Sequence, residues 1–121
     1  MIEEFNEYRR RMNERIMQDA SLNVKRFWAV DERAYEPGAL SAVVKELMGL
    51  CASLVLRCDD CVKYHLQRAV ELDASDAQIN ETMEIALVVG GSVVIPHLRR
   101  AYEFRDACRN HKTFKTDGDA G

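Results

Sequence analysis

A chain of 121 residues with a net charge of −3 is one domain, long enough to bury a core, and its interspersed charge signs argue against a nucleic-acid footprint. Only 7% of the residues are aromatic, so that core is built mainly from Leu, Val, Ile, Ala and Met. The longest apolar runs, 47–56 and 85–95, are too short to span a bilayer, and no membrane partner is expected. The first residues lack the basic region and apolar run of a signal peptide. Four cysteines without a secretory signal then favour a cytoplasmic redox or metal role over a disulfide framework.

Ile2, Phe5, Tyr8, Met12 and Ile16 recur at helical spacing and predict a first helix. Its acids come early and its bases later, an order that suits the helix dipole and i,i+4 pairing. Phe27 and Trp28 are expected in a short helix or turn that covers the core. Residues 31–38 read as a loop, because Pro37 discourages helix before it and the Pro-Gly pair marks a turn. From Leu40 to Val55 the apolar surface is far wider than one stripe, as in a helix that is central or covered by a partner subunit. Glu46 is the one acidic residue between Leu40 and Arg57. It either shares a narrow polar side with Lys45 or is buried for a reason.

The chemistry concentrates in Cys58-Asp-Asp-Cys61-Val-Lys-Tyr-His65. Arg57-Cys-Asp-Asp breaks the apolar pattern, and Asp59 and Asp60 are good N-cap types, so a new helix is predicted to begin there. Cys61 and His65 then share a face at i, i+4, with Cys61 at the positive end of the helix dipole. The two aspartates oppose a further negative charge, so the sign of the net shift in the thiol stays open. His65 can take the thiol proton as a base, and Cys58 is close enough to attack a sulfenic acid or mixed disulfide on Cys61. In one unbroken helix Glu46 would stand roughly 18 Å from Cys58, so it reaches the thiols only if the chain bends back. Cys58, Cys61, His65 and Glu46 also form a conceivable metal-ligand set, although the second ligand pair usual in structural zinc sites is not visible. Cys51 and Cys108 read as small core hydrophobes.

Ser75 with Gln78 fits a capping box that starts a further helix through Ile79, Met83, Ala86 and Leu87. Gly90-Gly91 interrupts it. Residues 92–96 are β-branched, but their length and helical flanks make a strand the weaker reading. Pro96 suits the first turn of a last helix carrying Leu98, Ala101, Tyr102, Phe104 and Arg105. His97 has no partner nearby in sequence and is read as structural or surface. The domain is placed at 1–110, with 111–121 a disordered tail. No flavin, nicotinamide or haem motif is present, so no cofactor is expected and electrons must come from a partner.

Residues 38–47, 58–65, 72–81 and the Val89-Gly-Gly91 segment together resemble the carboxymuconolactone decarboxylase family, in its alkylhydroperoxidase D-like (AhpD-like) branch. The resemblance covers 37–104. Its signature is a Glu, eleven residues, Cys, two residues, Cys, three residues and His, present without a gap from Glu46 to His65. It implies an all-α fold of about six helices, with the Glu46 helix and the dithiol helix as its central pair. It also implies a homo-oligomer, trimer or hexamer, which would cover the overly apolar helix. Cys61 would be the peroxidatic nucleophile that passes through a sulfenic acid, and Cys58 the proton donor and resolving thiol. His65 and Glu46 would form the proton relay. The substrate would be a hydroperoxide or a related disulfide, with an external thiol as reductant. Better-known members carry a histidine immediately before the second cysteine, where this chain has Asp60. The decarboxylase branch lacks the cysteine pair, so lactone decarboxylation is not expected. The competing reading is a non-enzymatic oligomeric metal-binding or redox-sensing module built on the same cluster.

Overall fold

The computed structural model describes the backbone of residues 1–120 and the side chains of residues 1–111. Among the described residues the fold is all-helical: α1 (Ile2–Asp19), α2 (Leu22–Ala34), α3 (Ala42–Val55), α4 (Asp59–Glu71), α5 (Asp76–Gly90) and α6 (Ile95–Ala120), with a short 3-10 turn at Ser92–Val94. The expected tail, 111–121, lies beyond the described side chains for all but its first residue. No described helix is long and apolar enough to cross a membrane.

The centre of the fold is the antiparallel pair α3 and α4; α5 packs on α3 and α6 packs on α4. Leu50 and Leu54 of α3 meet Val62, Leu66, Ala69 and Val70 of α4, closed off by Ile79 and Met83 of α5 and by Ala101 and Phe104 of α6. Phe104 also meets Phe5 edge-on at 5.5 Å, which seats α1 against α6. Tyr8 of the predicted α1 stripe points outward, while Ile2 is buried.

Both ends of α4 are set by the same local device. Arg57 and Asp73 adopt left-handed backbone angles, φ 59° and φ 65°, just beyond the ends of α3 and α4. The next amide turns back each time, from Cys58 to the Ser53 carbonyl at 3.0 Å and from Ala74 to the Ala69 carbonyl at 2.9 Å. These bonds satisfy carbonyls that a helix end leaves free and reverse the chain within a few residues. The capping box at Ser75 and Gln78 forms as expected. At the Gly-Gly pair the helix stops, with Gly91 at φ 81°, and the chain re-enters helix through the 3-10 turn rather than a strand.

α2 differs from expectation. It is a 13-residue helix, longer than the short helix or turn expected, and Asp31–Ala34, read as loop, form its last turn. Proline restricts most strongly the residue directly before it, so Pro37 leaves α2 free to run to Ala34. No residue of α2 is fully buried, and Leu22, Phe27 and Val30 are exposed.

Candidate active site

The reversal between α3 and α4 answers how Glu46 reaches the dithiol helix. Glu46, in the second turn of α3, and His65, in the second turn of α4, face each other across the pair. Glu46 Oε2 lies 2.7 Å from His65 Nδ1. Both are buried, Glu46 at 2% exposure and His65 at 8%. The solvent-facing alternative for Glu46 is therefore corrected: it is the acidic side chain that α3 turns inward. Its other oxygen, Oε1, stands 3.9 Å from Arg68 Nε, one turn beyond His65. A buried carboxylate needs such partners, since desolvation without them would be costly.

Three residues outside the signature hold the imidazole. Gly49, one turn after Glu46, makes room for it: a Cβ there would come within 2.7–2.9 Å of three His65 ring atoms. Tyr35, just after α2, places its hydroxyl 3.4 Å from His65 Nε2. Tyr64 packs edge-on against the ring with centroids 5.2 Å apart. With Nδ1–H donated to the Glu46 carboxylate, Nε2 carries the lone pair, and the Tyr35 hydroxyl donates to it. Burial pushes the Tyr35 hydroxyl pKa up, with the Asp31 and Glu46 charges adding to the effect, so it stays a neutral donor.

Cys58 and Cys61 are joined in a disulfide, with Cα atoms 5.3 Å apart. Cys58, not Asp59 or Asp60, caps α4: its sulfur accepts from the Cys61 amide at 3.3 Å. Cys61 sits in the first turn, exposed, and Cys58 is half-buried. Asp59 does not crowd the sulfurs with an uncompensated charge. It is held by His97 Nδ1 at 2.7 Å and Arg100 Nε at 2.9 Å, which gives His97 a structural partner distant in sequence. Burial alone would raise the Asp59 carboxyl pKa, but the His97 hydrogen bond and the Arg100 charge hold it below its ordinary value. That partner lies 38 residues away, which is why local spacing did not reveal it.

A cavity of about 610 Å³ opens beside the disulfide. Cys61, His65, Tyr64 and Asp60 of α4 form one wall. Phe27, Trp28, Asp31 and Glu32 of α2, with Arg9 and Asn13 of α1, form the other. A second cavity, about 390 Å³, lies on the Glu46 side and is lined by Glu46, Tyr35, Glu36 and Arg68. The helix pair joins Glu46 to His65, and His65 shares the wall of the first cavity with Cys61, the partner of Cys58, while Glu46 lines the second.

The remaining cysteines stand apart. Cys108 is buried, and burial pushes its thiol up to about 12; burial also raises the thiol pKa of half-buried Cys51. Among the described residues no group of three or more His, Cys, Asp or Glu is arranged to hold a metal, and the two signature sulfurs are bonded to each other.

A crystal structure from Thermotoga maritima superposes with a TM-score of 0.89 at 53% identity, covering 93% of this chain and 95% of that one. It is a carboxymuconolactone decarboxylase family protein with a possible involvement in antioxidative response. A family protein from Legionella pneumophila, 23% identical, shares the fold with a TM-score of 0.66 over 88% of each chain. An uncharacterized protein of Cupriavidus necator is 32% identical over 81 residues, 67% of this chain and 72% of its own length. The sequence profile of the carboxymuconolactone decarboxylase family matches residues 21–104, and the chain belongs to that family.

Proposed function

We propose that the protein is a thiol-dependent oxidoreductase of the alkylhydroperoxidase D-like kind, reducing hydroperoxides through Cys58 and Cys61. The observation that carries this reading is the buried hydrogen bond from His65, on the helix that presents the Cys58–Cys61 disulfide to a cavity, to Glu46 of the neighbouring helix α3. The antioxidative association of the Thermotoga maritima protein agrees with it.

In the reduced protein, His65 Nε2 takes the Cys61 proton, and the Glu46 carboxylate stabilises the imidazolium through Nδ1–H. The α4 N-terminus favours the thiolate that results. This thiolate attacks the terminal peroxide oxygen, the O–O bond breaks, and the departing alkoxide takes a proton to leave as the alcohol. Cys61 is then a sulfenic acid. Cys58 attacks that sulfur, water leaves, and the disulfide forms. Two electrons from an external thiol donor restore the dithiol.

The relay tyrosine belongs to the same reading: Tyr35 holds Nε2 while the sulfurs are oxidised. The working form is a homo-oligomer, trimer or hexamer, in the cytoplasm. Exposed Val44 and Met48 on α3, Ile85, Val88 and Val89 on α5, and Val93 after it are the apolar surface that assembly would cover. The test is peroxide consumption with a small-thiol reductant, comparing wild type with Cys61→Ser and Cys58→Ser. Wild type is expected to turn over. Cys61→Ser is expected to be inactive, and Cys58→Ser, with the thiol omitted, to stop at a Cys61 sulfenic acid without forming an internal disulfide. Full activity in Cys61→Ser would refute the assignment.

A further inference from the structure

The cavity beside Cys61 carries an unbalanced charge. Asp31, Glu32 and Asp60 line it against one guanidinium, that of Arg9. Among the described residues none of the three carboxylates has an ion-pair or hydrogen-bond partner, whereas Asp59 next door has two. Arg9 does not answer them, because its guanidinium lies over the Tyr64 ring, 4.5 Å from the centroid, and over Phe5. Lys63, on the same helix as the sulfurs, is turned to the Phe5 and Phe104 rings. Phe27 and Trp28 supply two further aromatic side chains in the opposite wall. Carboxylates beside aromatic faces are the chemistry that recognises an ammonium group. A concave wall of one sign also concentrates counter-charged partners and repels like-charged ones.

We propose that this cavity selects the thiol reductant by charge, taking amine-bearing thiols and turning away carboxylate-bearing ones. The inference rests on the reading of Cys58–Cys61 as a redox-active dithiol. The exchange runs at the exposed sulfur. A cationic thiol loses its proton, its thiolate attacks Cys61, and the bond to Cys58 breaks, leaving a mixed disulfide and a Cys58 thiolate. That thiolate is stabilised by the Cys61 amide already directed at its sulfur. A second thiol, also as thiolate, attacks the mixed disulfide and releases the small disulfide. Two thiols are oxidised, Cys58 and Cys61 are reduced, and the two protons end on the protein sulfurs.

The experiment follows reduction of the oxidised full-length protein by three small thiols: 2-aminoethanethiol, 2-mercaptoethanol and 3-mercaptopropionate. Rates are expressed per thiolate and relative to the rate of the same thiol with a small uncharged disulfide, so that differences in thiol acidity and nucleophilicity drop out. The expected order is cationic, then neutral, then anionic, with a spread of about tenfold or more at low salt. The spread should shrink at high salt, since these groups are solvent-accessible. Asp31→Asn/Glu32→Gln should narrow the spread, although both residues also border the second cavity, whereas Glu36→Gln, which borders only the second cavity, should not. Equal rates for the three thiols, or an unchanged spread in the double variant, would overturn the inference while leaving the dithiol reading intact. Equal narrowing by Glu36→Gln would overturn it too, by making the effect one of overall charge. A disulfide that no thiol reduces would overturn both.

Discussion

Replacing Glu46 with Gln removes one charge and leaves the shape of the site. The glutamine carbonyl can still accept from His65 Nδ1 at the position Oε2 now holds, 2.7 Å away. Arg68, 3.9 Å from the other oxygen, keeps Glu71 as its partner at 2.5 Å, so no buried cation is stranded. What is lost is the charged character of the hydrogen bond that supports the imidazolium. A bond to a charged group contributes about 1.5–3 kcal/mol and a neutral one about 0.5–1.5, so the difference is roughly 1–1.5 kcal/mol. That corresponds to about a tenfold loss in the ability of His65 to draw the proton from Cys61. The assay is the rate of iodoacetamide alkylation of the reduced protein near neutral pH, with peptide mapping to separate Cys61 from Cys58. Glu46→Gln should label Cys61 about tenfold more slowly, within a native helical spectrum. An unchanged Cys61 rate would refute the relay and leave Glu46 a structural residue.

Gly49→Ala should act on the same site by displacement. A Cβ within 2.7–2.9 Å of the imidazole forces the ring off Glu46. Overpacking costs about 1–3 kcal/mol, offset by about 1 kcal/mol of helix propensity, so chemical denaturation should show a modest loss and Cys61 alkylation a clear one. Tyr35→Phe should move the ¹⁵N resonance of His65 Nε2 but not of Nδ1 in the oxidised protein, because only the former faces the hydroxyl. Equal shifts at both nitrogens would remove Tyr35 from the relay. Cys108 makes an alkaline prediction. Its thiol ionises near 9 when unfolded and is pushed up to about 12 by burial in the fold. Above pH 9 the unfolded chain therefore loses a proton that the folded chain keeps, and stability falls as pH rises towards 12. The slope from this group is about 1.4 kcal/mol per pH unit, and Cys108→Ala should abolish that part of the alkaline slope in urea denaturation.

Features governed by neighbours in sequence were legible before the structure. The helical spacing of α1, the capping box of Ser75 and Gln78, and the break at Gly90-Gly91 are all local, and all stand as read. The spacing of Cys61 and His65 along one helix was legible for the same reason. The position of Glu46 was not. Its burial depends on the reversal at Arg57, a non-glycine residue in a left-handed conformation that no composition signal marks. Only the resemblance to a family moved it from the surface to the site. The contacts of Tyr35 and His97 were not legible because their partners lie 30 and 38 residues away. Gly49 carried the one overlooked hint, a glycine inside an apolar helix, which often marks a close approach. α2 was underestimated because the influence of Pro37 was extended too far upstream.

The central claim is that Cys58 and Cys61 are a redox pair served by His65 and Glu46. Intact mass and thiol counting on the reduced protein, before and after one equivalent of an organic hydroperoxide, test it most directly. The account predicts the loss of two hydrogens, mapped to the peptide holding Cys58 and Cys61, with Cys51 and Cys108 still free. Four thiols that survive the hydroperoxide unchanged would contradict it.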